Sequence, residues 1–232
     1  MSLDYLIIGA GPSGLILHSE LNKIQNGIVL ESGEEVKTKK ENIYSEYHIK
    51  NAYRFSGLNV LLGKPPLLLS EGESVGGGSA VNSSLHHRTP NHVWAKWKTF
   101  YELKGFSPSH IKKTYDEIES IYKLSYSKNE MPPFYKYASK KYKVDTIPRW
   151  GTQINEHFTR RTALDVVKDI DEKLLKSIFQ RHHVTDIDYK NSSLIVIKGF
   201  IKSKNRSSRS KKKEFFKFTT KKLFICAGAG VT

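Results

Sequence analysis

Hydrophobic positions along this chain come as short runs between glycine-rich or charged stretches, and the spacing within each run predicts what it forms. Tyr5-Leu6-Ile7-Ile8 is a continuous apolar run of strand length that ends on glycine, and helix-compatible residues follow from Leu15 to Leu21. Gly27-Ile28-Val29-Leu30 is a second such run, closed by Glu31. Strand, turn, helix and strand in that order predict a βαβ start over residues 1–35 and an α/β fold with a parallel sheet. Further along, Ser107 is a good N-cap and Pro108 suits the first helical position, while Ile111, Tyr115, Ile118 and Tyr122 recur on one face of the helix they begin. That stripe predicts core packing. Lys176 to Tyr189 reads as a short strand and turn, and Leu194-Ile195-Val196-Ile197 with Phe215-Phe216-Lys217-Phe218 as the two sides of a hairpin. The apolar run Leu223 to Ile225 then leads into Cys226-Ala227-Gly228-Ala229.

The turn after the first strand carries the chemistry. Gly9-Ala10-Gly11-Pro12-Ser13-Gly14 has the spacing of a dinucleotide fingerprint, lying between a strand and a helix as that fingerprint requires. Gly9 allows the tight turn, Gly11 lets backbone approach a pyrophosphate, and Gly14 lets the helix pack closely on the strand. The pyrophosphate is expected on the free N–H groups of the helix start, beside Pro12 and Ser13. Glu31, seventeen residues beyond Gly14, stands where an acidic residue binds ribose hydroxyls, with Ser32 next to it. A carboxylate there favours a free 2′-hydroxyl and repels a 2′-phosphate. The motif by itself leaves NAD and FAD both open.

A second glycine-rich stretch lies in residues 72–90, Gly-Glu-Ser-Val-Gly-Gly-Gly-Ser-Ala-Val-Asn-Ser-Ser-Leu-His-His-Arg-Thr-Pro. Its core, Gly76-Gly77-Gly78-Ser79-Ala80-Val81-Asn82, lacks strand or helix periodicity and has backbone able to fold closely around a ligand. Here the chain resembles the glucose-methanol-choline family of FAD-dependent oxidoreductases, which carries a similar Gly-Gly-Ser-Ser-x-x-Asn-Gly block followed by an arginine, in the place of Arg88. Ser83 departs from the family's glycine. The resemblance implies that Gly76, Gly77, Gly78 and Ser79 line the FAD pyrophosphate and ribityl chain, with Asn82 near the reactive edge of the isoalloxazine. Some members attach flavin through a histidine in this loop; the matching position holds Val81, so non-covalent FAD is expected.

The resemblance extends along the chain. Trp94-Ala95-Lys96-Trp97, Gly105-Phe106-Ser107 and the helix ending near Tyr122 are similar to the family's succession after the second loop and imply a small helical layer, a helical insertion over 91–145. Val184 is the candidate for a valine that meets the adenine, and Ala227 and Gly228 match an Ala-Gly-Ala strand end beside the flavin diphosphate. On this basis residues 1–232 form one Rossmann-like FAD-binding domain with an added β-hairpin or meander, residues 176–232 returning strands to the FAD sheet. The match covers the family's first half or less, so the C-terminal substrate domain is expected to be absent. The implied activity is oxidation of a CH–OH group, an alcohol or sugar hydroxyl, by hydride transfer to flavin N5. The catalytic base of that family belongs to a later segment and is assigned to no residue here. A non-catalytic flavin-binding remnant is the alternative, while an NAD(P)H-dependent reductase is disfavoured because no second GxGxxG follows a later strand.

His86 and His87 are adjacent, so in an extended segment they face opposite ways; one packed and one solvated is expected. Cys226 is the only cysteine, which excludes an internal disulfide and favours a reducing compartment. The start carries no basic n-region and no run reaches about eighteen apolar residues, so the expectation is cytoplasmic, without a transmembrane segment. No metal site is expected. The net charge of +15 raises a rival, a basic nucleic-acid-binding protein. Seven of the positive charges fall in residues 202–213, and without them the balance drops to +8. With no aromatic interleaving, that segment is read as a solvated hairpin tip.

Overall fold

The computed structural model describes residues 3–36, 45–105, 107–125, 137, 141, 149–154, 157–191, 194–203, 214–228 and 230. The chain divides into two compact units, one made of Met1–Asn82 with Thr162–Thr232 and the other of Ser83–Arg161. In chain order the first unit opens with β1 (Tyr5–Ile8), α1 (Pro12–Leu21), β2 (Gly27–Leu30), α2 (Glu46–Ala52), a 3-10 turn (Arg54–Gly57), β3 (Val60–Leu61), β4 (Leu67–Leu68) and the short α3 (Gly78–Val81). The second unit holds α4 (Asn91–Phe100), α5 (Pro108–Tyr122), β5 (Leu124–Ser125), β6 (Arg149–Ile154) and β7 (His157–Arg160). The first unit resumes with α6 (Ala163–Ile170), a 3-10 turn (Glu172–Ser177), β8 (Ile178–Phe179), β9 (His182–Asn191), β10 (Leu194–Ile201), β11 (Glu214–Thr220) and β12 (Leu223–Ile225).

The first unit is built on a parallel sheet in the order β12-β1-β2-β8. Its central strands read as unbroken apolar runs because a parallel sheet is covered on both faces. Tyr5, Leu6 and Ile7 of β1 and Val29 of β2 are completely buried. The predicted hairpin is present as an antiparallel pairing of β10 with β11, and β9 adds a third strand on the other side. Leu6, Ile28, Leu30 and Ile197 form a core with Val184, Phe216 and Phe218 packed against it, so the two sheets share apolar side chains. β9 runs ten residues, longer than the short strand expected, because cross-strand pairing with β10 carries it past Tyr189 through a register irregularity.

α6 begins with a capping box: Thr162 accepts from the Asp165 amide while the Asp165 side chain accepts from the Thr162 amide. Under α1 lies a buried polar chain. Ser177 Oγ donates to the Leu174 carbonyl at 2.7 Å, which leaves its lone pairs for His18 Nε2, also 2.7 Å away. Nε2 therefore carries the imidazole proton, and Nδ1 accepts the Tyr5 hydroxyl at 2.9 Å. Burial pushes the Tyr5 phenol up to about 12 and lowers His18 below 6.5.

In the second unit the predicted cap is present, since Ser107 Oγ accepts from the His110 amide and Pro108 occupies the first turn of α5. The Ile111–Tyr122 stripe packs only in part: Tyr122 is buried, whereas Ile118 is exposed. Segment 86–89 is tied to α5 instead by polar contacts. His86 Nε2 lies 2.8 Å from Glu119 Oε1, and Arg88 donates to Glu119 and Asp116 at 2.6 Å. Those contacts with Arg88, above all, hold both carboxyls below their usual range. His86 is buried and His87 exposed, the division expected of neighbours on an extended segment. Among the described residues, no helix is long and apolar enough to cross a membrane.

Candidate dinucleotide site

The two glycine loops meet. The Gly76 amide donates to the Ala10 carbonyl at 2.8 Å, and a Cβ added to Gly77 would lie 2.8 Å from Gly11 Cα. Gly77 has φ +50°, a conformation in which a side chain is disfavoured as well as crowded. Gly9, at φ +100°, turns the chain against the Cys226 carbonyl, where β12 ends. Backbone from three places in the sequence thus comes together over the N-terminus of α1. That helix has no side-chain cap and no acidic residue in its first turn, so its leading amides remain available to an anion.

A cavity of about 330 Å³ opens at this point within the first unit. Of the residues singled out from sequence, its wall contains Gly9, Gly11, Pro12, Ser13, Glu31, Ser32, Gly77, Gly78, Val184, Ala227 and Gly228. Four others stand outside the wall. Gly14 is pressed against the Gly9 carbonyl, where there is no space for a side chain. Gly76 is occupied by the loop-to-loop hydrogen bond. Ser79 is buried, donating to the Gly76 carbonyl at 2.6 Å and accepting the Ala163 amide at 2.9 Å, so it joins the second loop to the start of α6. Asn82 ends α3, its amide on the Gly78 carbonyl at 3.0 Å.

Glu31 is 6% exposed, yet both of its carboxylate oxygens are engaged. Oε2 accepts the Ala10 amide and Oε1 the Gly33 amide, each at 2.8 Å. Burial pushes the carboxyl above its usual range against the pull of these two amides. Each oxygen retains a second lone pair, so the carboxylate can still accept a hydroxyl from the cavity side. Glu31 therefore fastens the turn after β1 to the end of β2 and leaves hydrogen-bond acceptor capacity at the cavity wall.

The wall also contains Gly72, the first residue of the second glycine-rich stretch, and residues not assigned to the site from sequence: Ile8, Leu30, Arg54, His182, His183, Ile225 and Cys226. Ile8, Leu30 and Ile225 end strands of the parallel sheet, where ligands of open α/β sheets bind. His182 is brought in by its amide on the Glu31 carbonyl at 2.8 Å, with Nδ1 donating to the Gln180 carbonyl at the same distance. Burial raises the pKa of the Cys226 thiol, which keeps it protonated. Arg54 has no sequence signature, being a lone cation in a loop; a bridge between Tyr53 and Gly72 places it.

A parallel sheet with a pair of glycine loops at the first helix start defines the class, a Rossmann-like dinucleotide-binding fold. The sequence profile of GMC oxidoreductases matches residues 3–198, and the chain belongs to that family. It is 27% identical over 126 residues to an uncharacterized GMC-type oxidoreductase of Sinorhizobium fredii, covering 54% of this chain and 25% of that protein. A long-chain-alcohol oxidase of Arabidopsis thaliana is 29% identical over 116 residues, covering 50% of this chain and 15% of its own length. Among solved structures, a fungal aryl-alcohol oxidase superposes over 98% of this chain and 46% of its own, with a TM-score of 0.64 and 17% identity. An FAD-dependent oxidoreductase from Chaetomium thermophilum gives the same two coverages with a TM-score of 0.69 and 15% identity. The chain thus spans a quarter or less of these curated relatives and just under half of these solved structures.

Proposed function

We propose that this chain is the FAD-binding part of an oxidoreductase acting on CH–OH groups. The observation that carries the reading is the joined pair of glycine loops, which leaves a trough of bare backbone over an uncapped helix start. In this reading the amides of Gly11, Ser13 and Gly78 face the diphosphate, Glu31 and Ser32 take the ribose hydroxyls, and Val184 packs on the adenine. Ala227 and Gly228 let the chain pass close to the diphosphate. Gly14, Gly76, Ser79 and Asn82 then act by holding the loops in shape. The loop carries no histidine from Gly76 to Asn82, in keeping with non-covalent binding.

FAD, when bound, accepts the hydride that leaves the carbon of the hydroxyl being oxidised. The residues of this chain bind and orient it, with the Gly76–Ala10 contact holding the two loops together beside the diphosphate. Family membership and the alcohol-oxidase names among the relatives support an alcohol or a related hydroxyl as substrate. The group that takes the hydroxyl proton belongs, in this reading, to a segment beyond this sequence. FAD titration of the purified chain, followed by flavin fluorescence, tests the proposal: saturable one-to-one binding is expected, and its absence would overturn the assignment.

A further inference from the structure

We infer that Arg54 is an anion-binding residue of the cavity, placed to pair with the diphosphate of the bound dinucleotide. The inference rests on the dinucleotide reading above and adds a residue to it.

The backbone of Arg54 is fixed on the approach to the second glycine loop. Its amide donates to the Glu71 carbonyl at 2.9 Å, and the neighbouring Tyr53 pairs with Gly72. The side chain is only 15% exposed and contributes to the same wall as Gly11, Gly72, Gly77 and Gly78. Its Nε lies 3.5 Å from Glu71 Oε2, an ion-pair distance without a hydrogen bond, and is buried with no hydrogen-bond partner. Among the described residues the guanidinium donates no hydrogen bond at all. A guanidinium has five N–H donors in a planar fork, and buried donors are normally satisfied. The buried Nε–H therefore calls for an acceptor from outside the protein chain, and the fork stands in the cavity wall where a ligand can supply one.

Charge identifies that acceptor. Among the described residues Arg54 is the only Lys or Arg in the cavity wall, which also holds the Glu31 carboxylate. Burial holds the Glu31 carboxyl above its usual range with the charge of Arg54 pulling the other way, and Lys202, followed by Arg54, holds Glu73 below its usual range despite burial. Without Arg54, a dianionic ligand would enter a region where acidic groups prevail. The guanidinium fork matches phosphate oxygens two at a time, a geometry lysine lacks. Helix α1 supplies partial positive charge from one side, and Arg54 supplies a full charge from the glycine-loop side.

The competing explanation is that Arg54 only balances Glu71. Binding of FAD, ADP and adenosine to the full chain, each measured directly by calorimetry, separates the two. Arg54→Met should weaken FAD and ADP at least tenfold and adenosine less than twofold, and should flatten the salt dependence of ADP binding. Equal losses for ADP and adenosine, or no loss for either, would overturn the inference. If that variant does not fold, Glu71→Gln decides: pairing with diphosphate predicts ADP affinity unchanged or improved, whereas a purely structural pair predicts a loss for ADP and adenosine alike. A wild-type chain that binds ADP but not FAD would sink the flavin reading while leaving the Arg54 comparison intact; one that binds neither overturns both.

Discussion

Ala10 and Glu31 are joined by a 2.8 Å hydrogen bond from the backbone amide of the one to the carboxylate of the other. The bond ties the turn after β1 to the end of β2, with the other carboxylate oxygen held by Gly33. Glu31→Gln keeps the shape but turns an NH2 group toward one of the two amides, so one buried donor loses its acceptor. A cost of about 1–3 kcal/mol follows. Urea unfolding should show that loss together with weaker FAD binding; unchanged stability would mean that the amides find other partners.

Gly11 and Gly77 should fail differently. A Cβ on Gly11 meets no protein atom closer than 4.0 Å, so Gly11→Val is expected to fold with a melting temperature near wild type and to lose flavin, its side chain standing in the diphosphate space. Gly77→Val collides with Gly11 backbone and forces a positive φ, and should lower the melting temperature as well. Flavin content and thermal unfolding of the two variants, compared side by side, check the distinction. Full flavin retention in Gly11→Val would remove the diphosphate from that place.

His18 makes stability fall on the acid side of neutrality. Burial lowers its folded-state pKa below 6.5, so between the folded value and 6.5 the unfolded chain binds more protons. The stabilisation from the neutral imidazole is complete above 6.5 and declines as pH drops from there toward the folded pKa. Denaturant midpoints across pH 5 to 8 should trace this decline, and His18→Gln should flatten it. An equally steep profile in the variant would assign the pH dependence to other groups.

In the second unit, Glu119 is the shared partner of His86 and Arg88. Glu119→Ala leaves the buried His86 ring nitrogen without its acceptor, which costs about 1–3 kcal/mol. The more exposed Arg88 contact adds little. Limited proteolysis should cut faster within residues 84–92 of the variant; an unchanged cleavage pattern would mean that the Tyr115 contacts to Thr89 suffice.

Much of the first unit was legible because its signals are local. Tyr5–Ile8, the fingerprint glycines and Gly27–Leu30 each state their conformation within a few residues, and the Leu194 and Phe215 runs announce their pairing by length and apolar character. The convergence of Val184, Ala227 and Gly228 on one cavity came from the family pattern, since nothing local links them. Arg54 and His182 were not legible, because hydrogen bonds between distant backbone segments bring them to the wall. β8 is two residues long, below what periodicity resolves. The α5 stripe was overread: its period is helical, but helical period does not say how much of the face is covered. Residues 204–213 of the basic segment lie outside the described residues, and Lys202 at its edge pairs with Glu73.

The parallel pairing of β1 with β12, Leu6 opposite Leu223, bears on how the protein is made. During synthesis Ile225 to Gly228, which line the same cavity as the fingerprint glycines, emerge long after them. Closing so long a loop makes β1–β12 docking a late, slow event in folding. Between those two moments a nascent chain carries an open edge on β1 and an unfinished cavity wall, so a ligand that needs the whole wall is held only after β12 has docked.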